Sequence, residues 1–174
     1  VRDLHTSFFT PAGEVKAVNG VSFNLDEGRV LGIVGESGSG KSVTAYSILQ
    51  ILTHPGRIVS GSIKFRGQEL VGAGEHVMRK IRGNKISMIF QDPMTSLNPV
   101  YTIGNQLMEA IRLHTGRTKE QARARAVEML QLVGINEPEK RIKQYPYELS
   151  GGMRQRVMIA MALACQPALL ICDE

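Results

Sequence analysis

Gly35-Glu36-Ser37-Gly38-Ser39-Gly40-Lys41-Ser42 is the stretch whose residue types and order could do chemistry on phosphate. It fits the spacing G-x-x-x-x-G-K-[ST] without a mismatch. Glycines let the backbone curl so that successive N–H groups converge, and a helix opening at the end of the loop adds its positive N-terminal dipole. Lys41 has the charge and reach for β- and γ-phosphates, and the Ser42 hydroxyl is an oxygen ligand for Mg²⁺. A glycine-rich turn with a surface lysine would leave the flanks unexplained. Residues 29–34 are a short apolar run suited to a buried strand, and the sequence from Val43 onward can continue as a helix. The expectation is a nucleoside triphosphate, bound as its Mg²⁺ complex by Gly35 through Val43.

Two further clusters belong with that loop. Leu169-Leu170-Ile171-Cys172 runs into Asp173-Glu174. A carboxylate at such a strand end can hold Mg²⁺ and a second can polarise the attacking water, so Asp173 is assigned to the metal and Glu174 to the general base. Taken alone, this is also what a strand meeting a solvated loop looks like. Leu149-Ser150-Gly151-Gly152 opens a helix and reads as a second anion site. Ser150 can cap the helix, and two glycines let N–H groups approach a phosphate closely. One phosphate loop has no need of a second cradle so far along the chain. A second molecule's nucleotide would.

The elements that must position these residues follow in order. Residues 1–28 read as β-structure, with turn signals at Pro11-Ala12-Gly13 and Asp26-Glu27-Gly28. Phe8 and Phe9 lie within it. One of them could stack on an adenine ring, although a core phenylalanine on an antiparallel strand suits the spacing better. Short strands are expected at 62–66 and 85–90, with a basic helix over 75–82 between them. From about residue 100 the pattern turns helical. Thr118 and Gln121 make a capping box, Ala126, Val127, Leu130 and Val133 share a face, and Gly134 ends that helix. Met153, Val157, Ala160, Met161 and Ala164 make a second apolar face, in which the methionines are packing.

Composition sets the remaining bounds. The chain has 174 residues, enough for a single-domain core, with ordinary hydrophobic (43%) and charged (21%) fractions. No apolar run is long enough to span a bilayer, and no signal peptide opens the chain, so the reading is an intracellular protein able to dock on a membrane partner. The net charge of +5 is scattered in short clusters without interleaved aromatics, which argues against a nucleic-acid groove. Cys165 and Cys172 sit in apolar surroundings and read as small buried core residues. His54 and His76 have no partner at metal-ligand spacing. The start on Val1 and the stop directly after a strand-like run read as a piece of a longer protein.

With these motifs in hand, the chain resembles the ATP-binding cassette (ABC) ATPases. The phosphate loop at 35–42, a Q-loop glutamine at Gln91, the Leu-Ser-Gly-Gly signature at 149–152 and the Walker B run at 169–174 stand in the family's order. The resemblance implies an α/β fold: a P-loop NTPase (RecA-like) core with N-terminal antiparallel β-structure and an inserted α-helical subdomain, C-terminally incomplete here. The implied division is a core over 1–92, a helical subdomain over 93–165, and a return to the core over 166–174. It implies a head-to-tail dimer with a second ATPase subunit, identical or related, each ATP lying between one subunit's loop and the other's Ser150, Gly151 and Gly152. Phe8 matches the adenine-stacking position, with Phe9 still open. Gln91 would sense the γ-phosphate and Mg²⁺ and relay occupancy to a membrane partner. Gln91-Asp92-Pro93-Met94-Thr95-Ser96-Leu97-Asn98-Pro99, with Leu-Ser-Gly-Gly-Met-Arg-Gln-Arg, resembles the ATPase subunits of bacterial dipeptide, oligopeptide and nickel importers. That likeness implies permease partners, a substrate-binding protein and a peripheral place on the cytoplasmic face of the membrane. A soluble ABC-type ATPase acting on DNA or the ribosome is the alternative. Since the switch histidine and D-loop of such proteins lie past Glu174, the 174 residues alone are expected to hydrolyse ATP poorly.

Overall fold

The computed structural model describes residues 1–92 and 96–173. The chain divides into two compact units, Val1–Arg79 and Lys80–Glu174.

In the first unit, β1 (Arg2–Thr10) and β2 (Gly13–Val21) form a hairpin, and β3 (Gly56–Ser62) pairs with the other edge of β1. All pairings are antiparallel. Helix α1 (Lys41–Leu49) packs on this sheet, with Leu4, Val18, Ala45 and Leu49 buried. The junction is polar as well as apolar. Thr6 Oγ1 and Ser47 Oγ share a buried hydrogen bond of 2.9 Å, and Ser47 Oγ donates to Val43 O. Buried hydroxyls satisfied in this way hold a helix in register without the penalty of an unpaired polar group. The ribbon β4 (Lys64–Phe65) and β5 (Gln68–Glu69) and the short helix α2 (Glu75–Ile81) follow. The strand expected at 62–66 is interrupted at Ile63, whose N–H is taken by the Glu69 carboxylate instead of a ladder partner.

One expectation fails here. Residues 29–34 form no strand, and Val30 and Val34 are 98% and 93% exposed. Apolar character alone does not make a strand; a strand exists only where a neighbour accepts its N–H and C=O groups. β1, β2 and β3 pair with one another and not with this run.

In the second unit, β6 (Ile86–Ile89) and β7 (Leu169–Cys172) pair in parallel, with Ile86 opposite Leu169 and Ile89 opposite Cys172. Parallel neighbours need a long crossover. The crossover holds α3 (Ile103–Thr115), α4 (Lys119–Leu132), α5 (Pro138–Arg141), a 3₁₀ turn (Pro146–Glu148) and α6 (Gly151–Leu163). Ile103, Leu107 and Ile111 of α3, Ala126 and Leu130 of α4, and Val157 and Ala160 of α6 make one core, with Val127, Val133, Met153 and Met161 packed against it. The capping box forms at Thr118 and Gln121, and Gly134 follows α4 at φ +75°. The methionines pack as expected. The cysteines differ: Cys165 is half-buried and Cys172 exposed, because β7 lends the core only part of its surface. Among the described residues no helix is long and apolar enough to cross a membrane.

Candidate nucleotide-binding site

The phosphate loop is built by backbone geometry in the first unit. Gly38 and Gly40 have φ of +80° and +92°, a region in which a side chain is strained. At Gly40 there is a second reason: a Cβ would lie 2.3 Å from Ala17 O on β2, so hairpin and loop touch main chain to main chain. Ser39 N–H donates to Glu36 O at 3.2 Å, which curls the loop, and Lys41 Nζ donates to Gly35 O at 2.6 Å and Glu36 O at 2.9 Å. Helix α1 begins at Lys41 from a glycine cap and carries no acid in its first turn. An anion placed there meets the helix dipole and an ammonium. A Cβ on Gly38 would meet nothing within 4 Å, so the loop opens outward at its crown.

Phe8 and Phe9 occupy adjacent positions on β1, opposite Val15 and Glu14 of β2. The Phe8 ring lies against Gly56, where a Cβ would meet it at 2.7 Å. Phe9 is more open, with the Arg57 guanidinium 4.0 Å from its ring centroid.

The second unit carries the other motifs. The register of β6 and β7 brings Gln91 and Asp173 to the carboxyl ends of neighbouring parallel strands, and Asp173 N–H donates to Ile89 O at 3.0 Å. That end of a parallel sheet is where α/β folds bind ligands. Gln91 is exposed. Glu174, assigned as general base, and Pro93, Met94 and Thr95 lie outside the described residues. At the signature, Ser150 caps α6 by accepting Met153 N–H at 3.3 Å. Gly151 and Gly152 are exposed, have no positive φ, and a Cβ on either would meet nothing within 4 Å. Just upstream, the Tyr145 and Tyr147 rings stack at 5.5 Å.

Mg²⁺ takes hard oxygen donors and keeps water and phosphate for most of its shell. Each unit carries a donor of that kind, the Ser42 hydroxyl in the first and the Asp173 carboxylate in the second, so the residue types suit the ion. No group of three or more His, Cys, Asp or Glu among the described residues could hold a metal by itself.

Sequence reasoning passed over Arg156. Its Nη1 donates to Gly134 O at 2.8 Å and Val133 O at 3.3 Å, clasping the end of α4 from α6. A Cβ on Gly134 would lie 2.7 Å from that nitrogen. The only signal was a basic residue on one helix and a glycine at the end of another, which becomes informative once the two helices are known to touch.

The glycine loop and the helix that it opens have the form of a P-loop protein. Comparison with known proteins narrows this. A family model described as "ABC transporter" matches residues 18–174. An oligopeptide transport ATP-binding protein of Bacillus subtilis (strain 168) is 56% identical over 175 residues, covering all of this chain and 49% of the relative. A dipeptide transport ATP-binding protein of Haemophilus influenzae (strain ATCC 51907 / DSM 11121 / KW20 / Rd) is 51% identical over 174 residues, covering 53% of its own length. A dimeric ATP-binding cassette solved in a post-hydrolysis state with ADP and Pi superposes with a TM-score of 0.88 at 27% identity, covering 99% of this chain and 72% of that one. The chain belongs to the ABC transporter family. It spans about half the length of the curated relatives it matches.

Proposed function

We propose that this chain is the ATP-binding and ATP-hydrolysing part of a peptide importer, working as a head-to-tail pair in which each nucleotide lies between one copy's phosphate loop and the other's signature. The observation that carries this reading is the glycine pair at 151 and 152. Neither needs its missing side chain for backbone conformation or for packing in its own chain. Glycine in a helix is destabilising by roughly 0.5–1 kcal/mol relative to alanine. Two bare, exposed N–H groups at a serine-capped helix start suit a phosphate brought by something else.

In this mechanism Lys41 and the loop N–H groups bind the β- and γ-phosphates, and Phe8 stacks on the base. Ser42 and Asp173, with Gln91 as a further contact, would hold Mg²⁺, which would supply charge neutralisation at the phosphates. Glu174 accepts the proton of the attacking water. Gln91 then reports occupancy to permease subunits, which receive cargo from a substrate-binding protein. The chain sits peripherally at the cytoplasmic face of the membrane. Peptide as cargo is supported by the transport names of relatives at 51–56% identity.

The test separates binding from pairing. Glu174→Gln should bind Mg-ATP without turnover and sediment as a dimer. Adding Gly151→Asp should leave calorimetric ATP binding in place and return the protein to monomer. A dimer that survives Gly151→Asp would rule out the sandwich.

A further inference from the structure

Phe8 has different neighbours on its two sides. In an antiparallel sheet, directly opposite residues send their side chains to the same face. Phe8 is opposite Val15 on β2 and opposite Gly56 on β3. The ring uses the glycine side: a Cβ on Gly56 would lie 2.7 Å from Phe8 Cε1 and 3.0 Å from Phe8 Cδ1. Backbone conformation gives no reason for glycine there, since the φ of Gly56 is not positive. Main-chain bonds tie the turn that carries it. Gly56 N–H donates to Thr53 O at 2.8 Å, and Phe9 N–H donates to Pro55 O at 3.2 Å. Glycine within a strand weakens it and marks a place of close approach. An aromatic ring laid over a strand glycine offsets part of that loss, which by itself would make the pair a packing device. Phe8 is nevertheless only half-buried, so one edge of the ring rests on main chain while the ring keeps open surface.

We propose that Gly56 is a positioning residue for the base of the bound nucleotide. By leaving its side-chain space to Phe8, it sets the angle of the ring and so the plane on which a base can stack, without touching the base. This rests on the base-stacking role given to Phe8 above. The next residue of β3, Arg57, serves the other ring, with its guanidinium over Phe9.

Mg-ADP and Mg-pyrophosphate separate the base from the phosphates, and neither needs turnover to be read by calorimetry. In the full chain, Phe8→Ala should weaken Mg-ADP roughly five- to hundredfold, the range for a base on an aromatic ring, and leave Mg-pyrophosphate within about twofold. Gly56→Ala should weaken Mg-ADP by about threefold or more, because a displaced ring stacks less well, with Mg-pyrophosphate again unmoved. A Cβ at this position would also come 3.0 Å from Thr53 O, so the two variants are combined. Added to Phe8→Ala, Gly56→Ala should cost Mg-ADP nothing further, since the ring it would displace is gone. Equal losses of both ligands in Gly56→Ala would overturn the proposal and leave Gly56 a packing residue of the sheet. A further loss of Mg-ADP in the double variant would overturn it in the same way. Phe8→Ala and Phe9→Ala test the underlying reading. If Phe8→Ala leaves Mg-ADP affinity unchanged, base stacking on Phe8 fails, and the role of Gly56 with it; a loss in Phe9→Ala alone would move the base to the ring under Arg57. If Phe8→Ala weakens Mg-ADP while Gly56→Ala does not, only the positioning role fails.

Discussion

At the residue scale the phosphate loop was readable because its physics is local. Eight consecutive residues specify the curl, the helix start and the ammonium, and the structure supplies each of them. Lys41→Ala should weaken Mg-ATP binding by about 1.5–3 kcal/mol, the value of a hydrogen bond to a charged group, which calorimetry would register as a roughly ten- to hundredfold change. The signature makes the opposite kind of prediction. Gly151→Ala should leave the melting temperature unchanged or raise stability by up to about 1 kcal/mol. It should nevertheless lower turnover by about tenfold or more, equivalent to about 1.4 kcal/mol. A variant that is both more stable and less active cannot be explained as misfolded. Arg156 was not legible, because its partners Val133 O and Gly134 O are main-chain carbonyls whose positions no side-chain pattern announces.

At the scale of elements, periodicity located the helices and failed for the strand before the loop. The apolar faces of α4 and α6 and the capping box at Thr118 came from spacing that any amphipathic helix must show. Thr118→Ala should destabilise the helical unit by about 0.5–2 kcal/mol, read as a lower thermal midpoint with unchanged ATP binding. Residues 29–34 have the composition of a strand and no ladder. Hydrophobicity is a property of the run, whereas pairing belongs to its neighbour. Glu69 shows a third case, an acid whose importance lies in its partners. The Ser62 hydroxyl, followed by the N–H groups of Ile63, Val71 and Leu70, holds its carboxyl below the ordinary range. The unfolded chain therefore binds the proton more readily. This stabilisation is complete above the ordinary glutamate value of about 4.3 and disappears as pH falls through the lower folded value. Because Glu69 is exposed, solvent screens the effect. Melting midpoints taken from about pH 6 down to about pH 3 should fall less steeply in Glu69→Gln than in the native chain.

For the whole molecule, the family relation and the bare glycines point outward from the single chain. Turnover per chain should rise with protein concentration and level off once the pair is populated, and a rate independent of concentration would contradict a shared site. The parallel pairing of β6 and β7 gives this its geometry. Segments more than seventy residues apart end side by side, so the Gln91 end and the Asp173 end form one edge, with the helices of the crossover between them in sequence. Sequence order suggested such an insertion. Which strands were adjacent came from the ladder.

The two carbonyl bonds of Lys41 bear on which nucleotides the loop accepts. An ammonium that already donates to Gly35 O and Glu36 O is engaged within its own loop, and on the proposed function a ligand that recruits it more fully does so in exchange for those oxygens. A nucleoside monophosphate has no β- or γ-oxygen to offer in exchange and leaves the lysine where it stands. A diphosphate offers part of the exchange, and a triphosphate offers all of it. On the proposed function, affinity should therefore rise from mono- to di- to triphosphate, a gradient that calorimetry would read and that two of the loop's own peptide groups would set.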